Sequence, residues 1–460
     1  MREDTIAAIA TPLGEGGIGI VRISGPEGIE IVNKIFQSPK NIDLKKVPTY
    51  KAHYGHIYNP ESKQVIDEVI VLIMRSPRSY TREDVVEIHC HGGIMPLRQV
   101  FALVIAKGAR IAEPGEFTKR AFLNGRLDLA QAEAVIDVIR AKTDVGLQVA
   151  MGQLGGHLSK TISYLQDQLL SLLAQIEVSI DFPEHDLPDV TKEEILKGSY
   201  TVASRIKELL ATAHQGKVLR EGLRTVIVGK PNVGKSSLLN ALLQEDRALV
   251  TNIPGTTRDI IEEIINIEGI PLKIIDTAGI RESNDLVEKL GIEQAKRFYA
   301  AADLVLMMLD ASAGWTKEDQ IIVDMLGEKT AIVLINKIDI GNKISAEEVK
   351  RKIPGQEVLC ISVKEQKGFD QLRSIIKQKV FQGEIVIGES NIVSNVRHQE
   401  ALDRAYKHLQ EVINALTVGI TVDLAAIDLH AAWESLGEIT GETMGEEVIN
   451  RIFSDFCLGK

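Results

Sequence analysis

Cysteine, long apolar runs and net positive charge are all scarce in this sequence. Three cysteines among 460 residues provide no disulfide framework. No run approaches the roughly 18 uninterrupted apolar residues of a membrane span, and none follows the charged start, Met1-Arg-Glu-Asp4. The net charge of −11 argues against coating nucleic acid through a broad basic surface. We therefore expect a soluble, cytoplasmic protein that does not enter a membrane and whose RNA contacts are local or shared with a partner.

Length and apolar content, by contrast, suffice for several folded domains. A chain of 460 residues, 44% of them hydrophobic, predicts two to four. Short strand-like runs with Gly and Pro between them indicate an α+β domain over residues 1–118. Helical periodicity then predicts the first part of a helical domain, 119–216, and its second part, 381–460. Between them, residues 217–380 alternate strand, loop and helix, typical of a mainly parallel sheet covered by helices. The expected fold class is multidomain α/β, with the sheet inserted into a helical domain whose parts pack together.

A glycine-rich loop stands between a predicted strand, 225–229, and a predicted helix, 237–243. It reads Gly229-Lys-Pro-Asn-Val-Gly-Lys-Ser236. In this context the glycines let backbone N–H groups face phosphates, Lys235 reaches the β and γ oxygens, and the Ser236 hydroxyl can ligate magnesium. A chance turn is the alternative, and further motifs in the expected order disfavour it. The predicted nucleotide contacts here are Asn232, Val233, Gly234, Lys235, Ser236 and Ser237.

Three more motifs follow predicted strands. Asp276-Thr-Ala-Gly279 places a carboxylate near magnesium and a backbone N–H at the γ-phosphate. Asn336-Lys-Ile-Asp339 offers a carboxylate that can accept two hydrogen bonds from guanine, which selects GTP over ATP. Ser362-Val-Lys364 resembles a guanine-contacting loop, with valine where alanine is usual. The predicted contacts are Asp276, Thr277, Ala278, Gly279, Asn336, Lys337, Asp339, Ser362, Val363 and Lys364.

The segment Gly255-Thr-Thr-Arg-Asp259 resembles the first switch loop of GTPases. Its Thr257 would complete the magnesium shell, although a threonine there could also be an ordinary surface residue. The predicted contacts in and before this loop are Thr251, Asn252, Ile253, Pro254, Gly255, Thr256 and Thr257. Many small GTPases carry a glutamine directly after the Asp-x-x-Gly motif, but Ile280 stands there and cannot orient water. Another group must do so.

This switch segment, Asp276-Thr-Ala-Gly-Ile-Arg281 and the ending Phe456-Cys-Leu-Gly-Lys460 resemble the MnmE (TrmE) family of tRNA-modification GTPases, over essentially the whole chain. The resemblance implies a potassium ion at a homodimer interface in place of an arginine finger. Its implied ligands are Asn232, Thr251, Ile253 and Thr256. The water-aligning glutamate maps to Glu288, a residue that also fits a capping box with Asp285.

The same resemblance implies an N-terminal site for formyl- or methylene-tetrahydrofolate. Its residues map to Arg22, Glu87, Arg126 and, from the facing structure, Lys460. Without the resemblance, the first three would pass as surface charges. An acidic group suits the pterin donor edge and basic groups suit glutamyl carboxylates.

The cysteines receive separate interpretations. A cysteine such as Cys457 is often just a small buried hydrophobe. The resemblance implies that the Phe-Cys-x-Gly-Lys ending is needed for tRNA modification, so we expect Cys457 to act in catalysis, as nucleophile or by position. Cys360, between Leu359 and Ile361 on a predicted strand, is expected in the core. His89-Cys90-His91 could suggest a metal site, but no second ligand pair lies nearby in the sequence.

The resemblance implies GTP hydrolysis that drives conformational change in a homodimer. With MnmG, an FAD- and NADH-dependent partner, it would build an aminomethyl-type group on the wobble uridine of certain tRNAs. Two alternatives remain open. One is an Era-like ribosome-assembly switch, which the Phe-Cys-x-Gly-Lys ending argues against. The other is a folate-binding module, residues 1–118, that tethers partners while the GTPase acts as a timer.

Overall fold

A computed structural model describes residues 4–181, 192–246, 263–275, 302–327, 329–381 and 392–460. These residues divide into two compact units. The first comprises Met1–Ile136, Leu154–Leu170 and Trp433–Lys460, and the second comprises Asp137–Gln153 and Ser171–Ala432. Of the helices described, none has the length and apolar content to cross a membrane.

The first unit contains a seven-stranded sheet in the order β3-β4-β5-β6-β2-β1-β7. All described pairings are antiparallel except that of β1 with β7. Alternate residues such as Val21, Ile23, Val86 and Ile88 are buried, because side chains on a strand point to opposite faces. The elements are β1 (Ile6–Ile9), β2 (Gly16–Ser24), α1 (Gly28–Ile35), β3 (Phe36–Gln37), β4 (Lys51–Tyr58), β5 (Val65–Met74), β6 (Val85–Gly92), α2 (Ile94–Ala106), β7 (Arg110–Ile111) and α3 (Glu116–Leu123).

Helices dominate the next stretch of the chain, as the periodicity after Gly125 predicts. A glycine in the left-handed region precedes it, Gly125 having φ of 67°. The bounds are α4 (Leu129–Arg140), α5 (Asp144–Leu154), α6 (His157–Asp181), α7 (Lys192–Ala211) and α8 (Ala213–Glu221).

The second unit contains a six-stranded sheet in the order β13-β12-β11-β8-β10-β9. Only β9 with β10 is antiparallel among its described pairs. Every residue of β11 and β12 is buried, as expected for strands covered by helices on both faces. The elements are β8 (Leu223–Val228), α9 (Lys235–Asp246), β9 (Glu263–Ile267), β10 (Ile270–Ile274), β11 (Leu304–Asp310), α10 (Lys317–Leu326), β12 (Ala331–Asn336), α11 (Ala346–Lys352), β13 (Glu357–Cys360) and α12 (Phe369–Phe381).

Helices return after this sheet as α13 (Val396–Thr417), α14 (Val422–Thr440) and α15 (Glu446–Ser454). Within the second unit, α13 packs against α7. The stripe that α13 buries includes Ala401, Leu402, Ala405 and Leu409, spaced three and four residues apart as on one face of a helix. The helical segments on either side of the second sheet are therefore in contact.

The predicted fold class is confirmed. The prediction of Cys360 as a core residue is wrong, because its side chain is exposed. Cys360 is the last residue of β13, which is an edge strand of its sheet. Alternation places it on the opposite face of the strand from buried Leu359, and at this strand end it stays exposed.

Candidate functional site

The glycine-rich loop connects β8 to α9, and close contacts explain two of its glycines. Gly229 has φ of 153°, and a Cβ there would lie 2.6 Å from the Met308 carbonyl oxygen. Gly234 has φ of 106°, and its Cβ would lie 2.5 Å from Asn336 Nδ2. A side chain at either position would displace a neighbour. The loop therefore lies tightly against the carboxyl ends of β11 and β12 and leads into the first turn of α9, whose backbone N–H groups can bind an anion.

Lys235 is the first residue of α9 and lies over this loop. Its Nζ donates to the carbonyl oxygens of Gly229 at 2.7 Å and Lys230 at 2.9 Å. Burial lowers the pKa of Lys235. Ser236 and Ser237, next on the helix, are exposed residues of its first turn. The two hydroxyls and the ammonium group thus belong to a single turn of chain.

One amide joins the phosphate loop to the loop after β13. Asn336, the last residue of β12, is buried and donates from Nδ2 to the Val233 carbonyl at 2.8 Å. Its Oδ1 accepts a hydrogen bond from the Val363 backbone N–H at 3.1 Å. A buried amide with both ends bonded fixes the two loops relative to each other.

Lys337 makes a second link to the phosphate loop. Its Nζ donates to the Asn232 carbonyl at 2.7 Å and to Asp310 Oδ2, also at 2.7 Å. The backbone of Asn232 is in the left-handed region, with φ of 63°. Asn232 itself is exposed.

Asp310, the last residue of β11, is the carboxylate that supports Lys337. Burial alone would raise its pKa, but hydrogen bonds from Lys337 and Ser312 outweigh burial and lower the pKa to about 2. Both the backbone N–H and the hydroxyl of Ser312 donate to Asp310 Oδ1, at 2.8 and 2.6 Å. Asp310 is therefore ionised at neutral pH and holds the Lys337 ammonium in place.

The predicted guanine-binding residues surround a cleft of about 650 Å³. At one wall, the Ser362 hydroxyl donates to Asp339 Oδ1 at 2.7 Å, and this bond lowers the pKa of the Asp339 carboxyl. An ionised carboxylate has about four acceptor sites, so the bond from Ser362 leaves Asp339 with capacity to accept from a ligand. The residues that line the cleft are Gly234, Ser237, Asn240, Ala241, Gln244, Asn336, Lys337, Asp339, Ile340, Val363, Lys364 and Gln366.

A buried ion pair anchors the phosphate loop on its other side. Lys230 Nζ lies 3.0 Å from Asp319 Oδ2, and the two side chains are only 10% and 1% exposed. Asp319 also accepts from the Thr316 backbone N–H and hydroxyl, which completes the capping box of α10. The phosphate loop is thus tied to the start of α10.

Several predicted residues lie outside the part of the chain that the structure describes. They are Thr251, Asn252, Ile253, Pro254, Gly255, Thr256, Thr257, Asp276, Thr277, Ala278, Gly279, Ile280, Asp285 and Glu288. The described members of the predicted nucleotide site come together at the loops after β8, β12 and β13.

The first unit brings together the residues predicted to bind folate. Arg22 on β2 and Glu87 on β6 face each other across the sheet, with Arg22 Nε 2.9 Å from Glu87 Oε1. Their side chains are only 17% and 14% exposed, so they are not simple surface charges. The second carboxylate oxygen of Glu87 lies 3.3 Å from His89 Nε2.

The C-terminal tail reaches this ion pair. Arg22 donates to the Gly459 carbonyl at 3.0 Å. Gly459 itself has φ of 86°, and a Cβ there would lie 2.7 Å from the Ile9 carbonyl oxygen. Burial and the charge of Arg22 lower the pKa of Lys460, while Glu87 and Cys457 act in the opposite direction. Within one chain, Lys460 therefore lies beside Arg22 and Glu87. Cys457 is exposed, and its carbonyl accepts from the Gly115 backbone N–H at 3.4 Å.

Tyr80 connects Arg22 to the fourth predicted residue, Arg126. The Tyr80 ring centroid lies 6.0 Å from Arg22 Cζ and 4.7 Å from Arg126 Cζ. Arg126 also donates to the Tyr80 carbonyl at 2.9 Å, and the Tyr80 hydroxyl bonds with that of Thr118 at 2.9 Å. Burial raises the pKa of Tyr80, against the hydrogen bond to Thr118 and the two arginine charges.

The His89-Cys90-His91 run lies on β6, where residues alternate between faces. Cys90 is buried, and burial raises the pKa of its thiol to about 12. His91 instead bonds through Nδ1 to Asp67 Oδ1 at 2.6 Å. Across the described residues, no group of three or more potential ligands is arranged to hold a metal ion.

Sequence reasoning missed Asp310, Lys230, Asp319 and Tyr80. Asp310 follows an apolar run of six residues, so it carried the same strand-end signal as the predicted Asp276 and Asn336. Lys230 lies inside the glycine-rich motif. Asp319 and Tyr80 carried no comparable signal, because only folding brings them to these sites.

The second unit defines a P-loop guanine-nucleotide-binding protein: a mainly parallel sheet, a glycine-rich loop after β8 and an Asn-Lys-x-Asp motif after β12. A family model described as the MnmE helical domain matches residues 129–457. One described as the N-terminus of GTP-binding protein TrmE matches residues 5–126.

Curated relatives match over the full chain. The tRNA modification GTPase MnmE of Desulforamulus reducens is 54% identical over 461 residues and covers 100% of both chains. That of Enterococcus faecalis is 50% identical, covering 100% of this chain and 99% of its own. A crystal structure of Era from Aquifex aeolicus is 32% identical over 40% of this chain and 66% of its own, with a TM-score of 0.28. The chain belongs to the MnmE family of tRNA modification GTPases.

Proposed function

We propose that this chain is a potassium-stimulated GTPase that acts with MnmG on the wobble uridine of certain tRNAs. Together they form the (carboxymethyl)aminomethyl group at carbon 5, with a one-carbon unit from formyl- or methylene-tetrahydrofolate. The chain would function as a homodimer within a heterotetramer with MnmG. The observation that carries the GTPase part is the Asn336 amide, which joins the phosphate loop to the loop beside Asp339.

The described residues of the nucleotide site have distinct roles in binding GTP. Asp339 accepts from guanine, Ser362 orients that carboxylate, and Lys235 reaches the β and γ oxygens. Ser236, with Thr257, would hold magnesium, which neutralises charge on the phosphates. The exposed hydroxyl-bearing turn at the start of α9 fits this role, since magnesium prefers oxygen ligands.

The exposure of Asn232 fits its proposed role as a potassium ligand. Its side-chain amide oxygen is a group that can coordinate a cation. The other proposed ligands are Thr251, Ile253 and Thr256. A cation here would supply the charge that an arginine finger supplies in other GTPases. Glu288 would align the attacking water.

GTP turnover in potassium against sodium buffer tests this part. Loss of one group that stabilises transition-state charge costs about 10²-fold or more in rate. We therefore expect turnover to fall by about that factor in sodium. Equal rates in the two buffers would contradict a shaped potassium site. The Glu288→Ala variant is expected to bind GTP normally and to lose potassium-stimulated turnover, and unchanged turnover would contradict its role.

The folate part is supported by the contacts of Arg22 with Glu87 and with the Tyr80 ring, which also contacts Arg126. Lys460 experiences the charges of both Arg22 and Glu87. The Glu87 carboxylate suits the donor edge of a pterin, and the arginines suit glutamyl carboxylates. Exposed Cys457 lies on the tail that contacts Arg22, where it would act as nucleophile or positioning group. Titration of the full chain with 5-formyltetrahydrofolate tests this part, and absence of binding would overturn it.

We also propose domain limits. Residues 217–380 form the GTPase domain, and residues 119–216 and 381–460 form the helical domain. Residues 1–118 form the folate-binding and dimerisation domain. The contact between α13 and α7 supports a helical domain assembled from both sides of the GTPase domain.

A further inference from the structure

A cleft of about 480 Å³ opens beside Tyr80 in the first unit, and its walls are strongly cationic. Three arginines line it, and none of the described lining residues is acidic. The lining residues are Tyr50, Met74, Pro77, Arg78, Ser79, Tyr80, Arg82 and Arg126. Such concentration of one charge is unusual in a chain whose net charge is −11.

Among the described residues, the three arginines of the cleft form no ion pair with a carboxylate, unlike other arginines of the same unit. Arg22, Arg110 and Arg120 each form ion pairs. Arg82 instead donates to the Asn124 carbonyl at 2.8 Å, and Arg126 donates to the Tyr80 carbonyl.

Across the described ranges, no carboxylate forms an ion pair with Arg78, Arg82 or Arg126. A guanidinium has five N–H donors, so one bond to a carbonyl leaves both its charge and most donors available. The cleft therefore presents unneutralised cations to an anionic ligand.

The loop that carries Arg78 and Arg82 is held in shape from both sides. The Ser76 hydroxyl donates to the Arg82 carbonyl at 2.8 Å, and the Ser76 N–H donates to Asp84 Oδ1 at 2.8 Å. The Ser79 hydroxyl donates to the Glu83 carbonyl at 2.5 Å. Arg82 itself has φ of 59°, a costly conformation that these bonds maintain. Fixed positions of this kind reduce the entropy lost when a ligand binds.

The cleft is continuous with the proposed folate site, because Arg126 and Tyr80 belong to both. From Glu87, contacts run through Arg22 and the Tyr80 ring to Arg126. Arg126 lines the cleft together with Arg78 and Arg82. A pterin at Glu87 and a glutamyl carboxylate at Arg126 would direct the rest of the ligand toward Arg78 and Arg82.

We propose that Arg78 and Arg82 bind the γ-linked glutamyl chain of a polyglutamylated tetrahydrofolate. This inference rests on the proposed folate site. A γ-glutamyl chain carries one carboxylate per residue on a flexible apolar backbone. Successive carboxylates therefore require successive cations, and Tyr50 and Met74 add apolar surface to the same cleft. An RNA helix would need a broad basic face, whereas this cleft has space for a few glutamyl residues only.

The test compares 5-formyltetrahydrofolate as monoglutamate and as tetraglutamate, each titrated into the full chain by calorimetry. Two added exposed ion pairs are expected to make the tetraglutamate bind about tenfold more tightly. The double variant Arg78→Gln/Arg82→Gln is expected to lose this preference while its affinity for the monoglutamate stays unchanged. Arg98→Gln, on the exposed side of α2, is the matched control and is expected to keep the preference.

The outcomes separate this inference from the folate site itself. If the wild-type chain binds both ligands equally, the inference is overturned and the folate site stands. If it binds neither, the folate site is overturned and the inference with it. If the double variant keeps the tetraglutamate preference but loses affinity for tRNA in gel-shift titrations, the cleft binds RNA and the inference is overturned. Unchanged circular dichroism and GTP affinity of the double variant establish that it is folded.

Discussion

The nucleotide site lies where loops follow parallel strands of one sheet, whereas the proposed folate site combines side chains from distant parts of the chain. The phosphate-loop bond from Lys235 to Gly229 spans 6 residues, and the bond from Arg22 to Gly459 spans 437. The backbone conformation of the loops, a few buried hydrogen bonds and one buried ion pair define the nucleotide site. The second depends on ion pairs and on the position of the tail. A short motif can therefore specify the first site, but only the complete fold specifies the second.

Substitution of Gly234 by alanine is the strongest test of backbone control at the nucleotide site. The new Cβ would lie 2.5 Å from Asn336 Nδ2 at φ of 106°, so Asn336 must shift or the loop must open. Strain of about 3 kcal/mol corresponds to about 100-fold weaker GTP binding. Titration with a fluorescent GTP analogue measures the effect.

The matched control is Gly355→Ala. Gly355 also has positive φ, 83°, but nothing lies within 4 Å of its Cβ position. We expect some loss of stability and unchanged GTP affinity. Equal losses of affinity in both variants would contradict the role of the close contact at Gly234.

The Lys230→Met variant tests whether the nucleotide site also depends on a buried ion pair. It leaves Asp319, 1% exposed, with only its bonds to Thr316. We expect the free energy of unfolding to fall by about 2–3 kcal/mol, measured by urea denaturation. Lys367→Met removes an exposed pair with Glu365 and is expected to leave the urea midpoint unchanged. A similar urea midpoint in both variants would show that burial of the Lys230–Asp319 pair contributes nothing to stability.

Asp310→Asn is expected to lower the free energy of unfolding by about 2 kcal/mol at neutral pH, and this loss is expected to depend on pH. Because the pKa of Asp310 is about 2 in the fold against 3.8 as its ordinary value, folding favours its ionised form. The stabilisation is complete well above pH 3.8 and is lost as pH falls through 3.8 toward 2. The difference between wild type and variant in urea denaturation is therefore expected to shrink over that range. A difference in unfolding free energy that does not depend on pH would contradict the stabilisation by ionised Asp310.

Arg22→Gln is expected to have the smallest effect on stability and a selective effect on function. It removes the ion pair of Glu87 with Arg22, in which Glu87 is 14% exposed, at a cost of about 1–2 kcal/mol. Folate binding is expected to be lost in calorimetry, with GTP affinity unchanged. Arg98→Gln serves as control. Loss of GTP affinity together with folate binding would contradict the separation of the two sites.

The sequence was sufficient to predict the parallel sheet, the phosphate loop and the Asn336 motif, because each depends on short-range pattern. Asp310 could have been found by the same strand-end argument. Tyr80 and Asp319 could not, since their partners Arg126 and Lys230 are distant in the chain. Cys360 was misplaced because apolar neighbours do not reveal that a strand is at the edge of its sheet.

The arginine-lined cleft has a consequence for the kinetics of ligand capture. At physiological ionic strength charges act over about 8 Å, so an anion at the cleft experiences Arg78, Arg82 and Arg126 rather than the whole chain. At 0.01 M salt the range grows to about 30 Å, and the net charge of −11 opposes approach. The association rate of an anionic ligand is therefore expected to rise and then fall as salt increases, with its maximum at intermediate ionic strength.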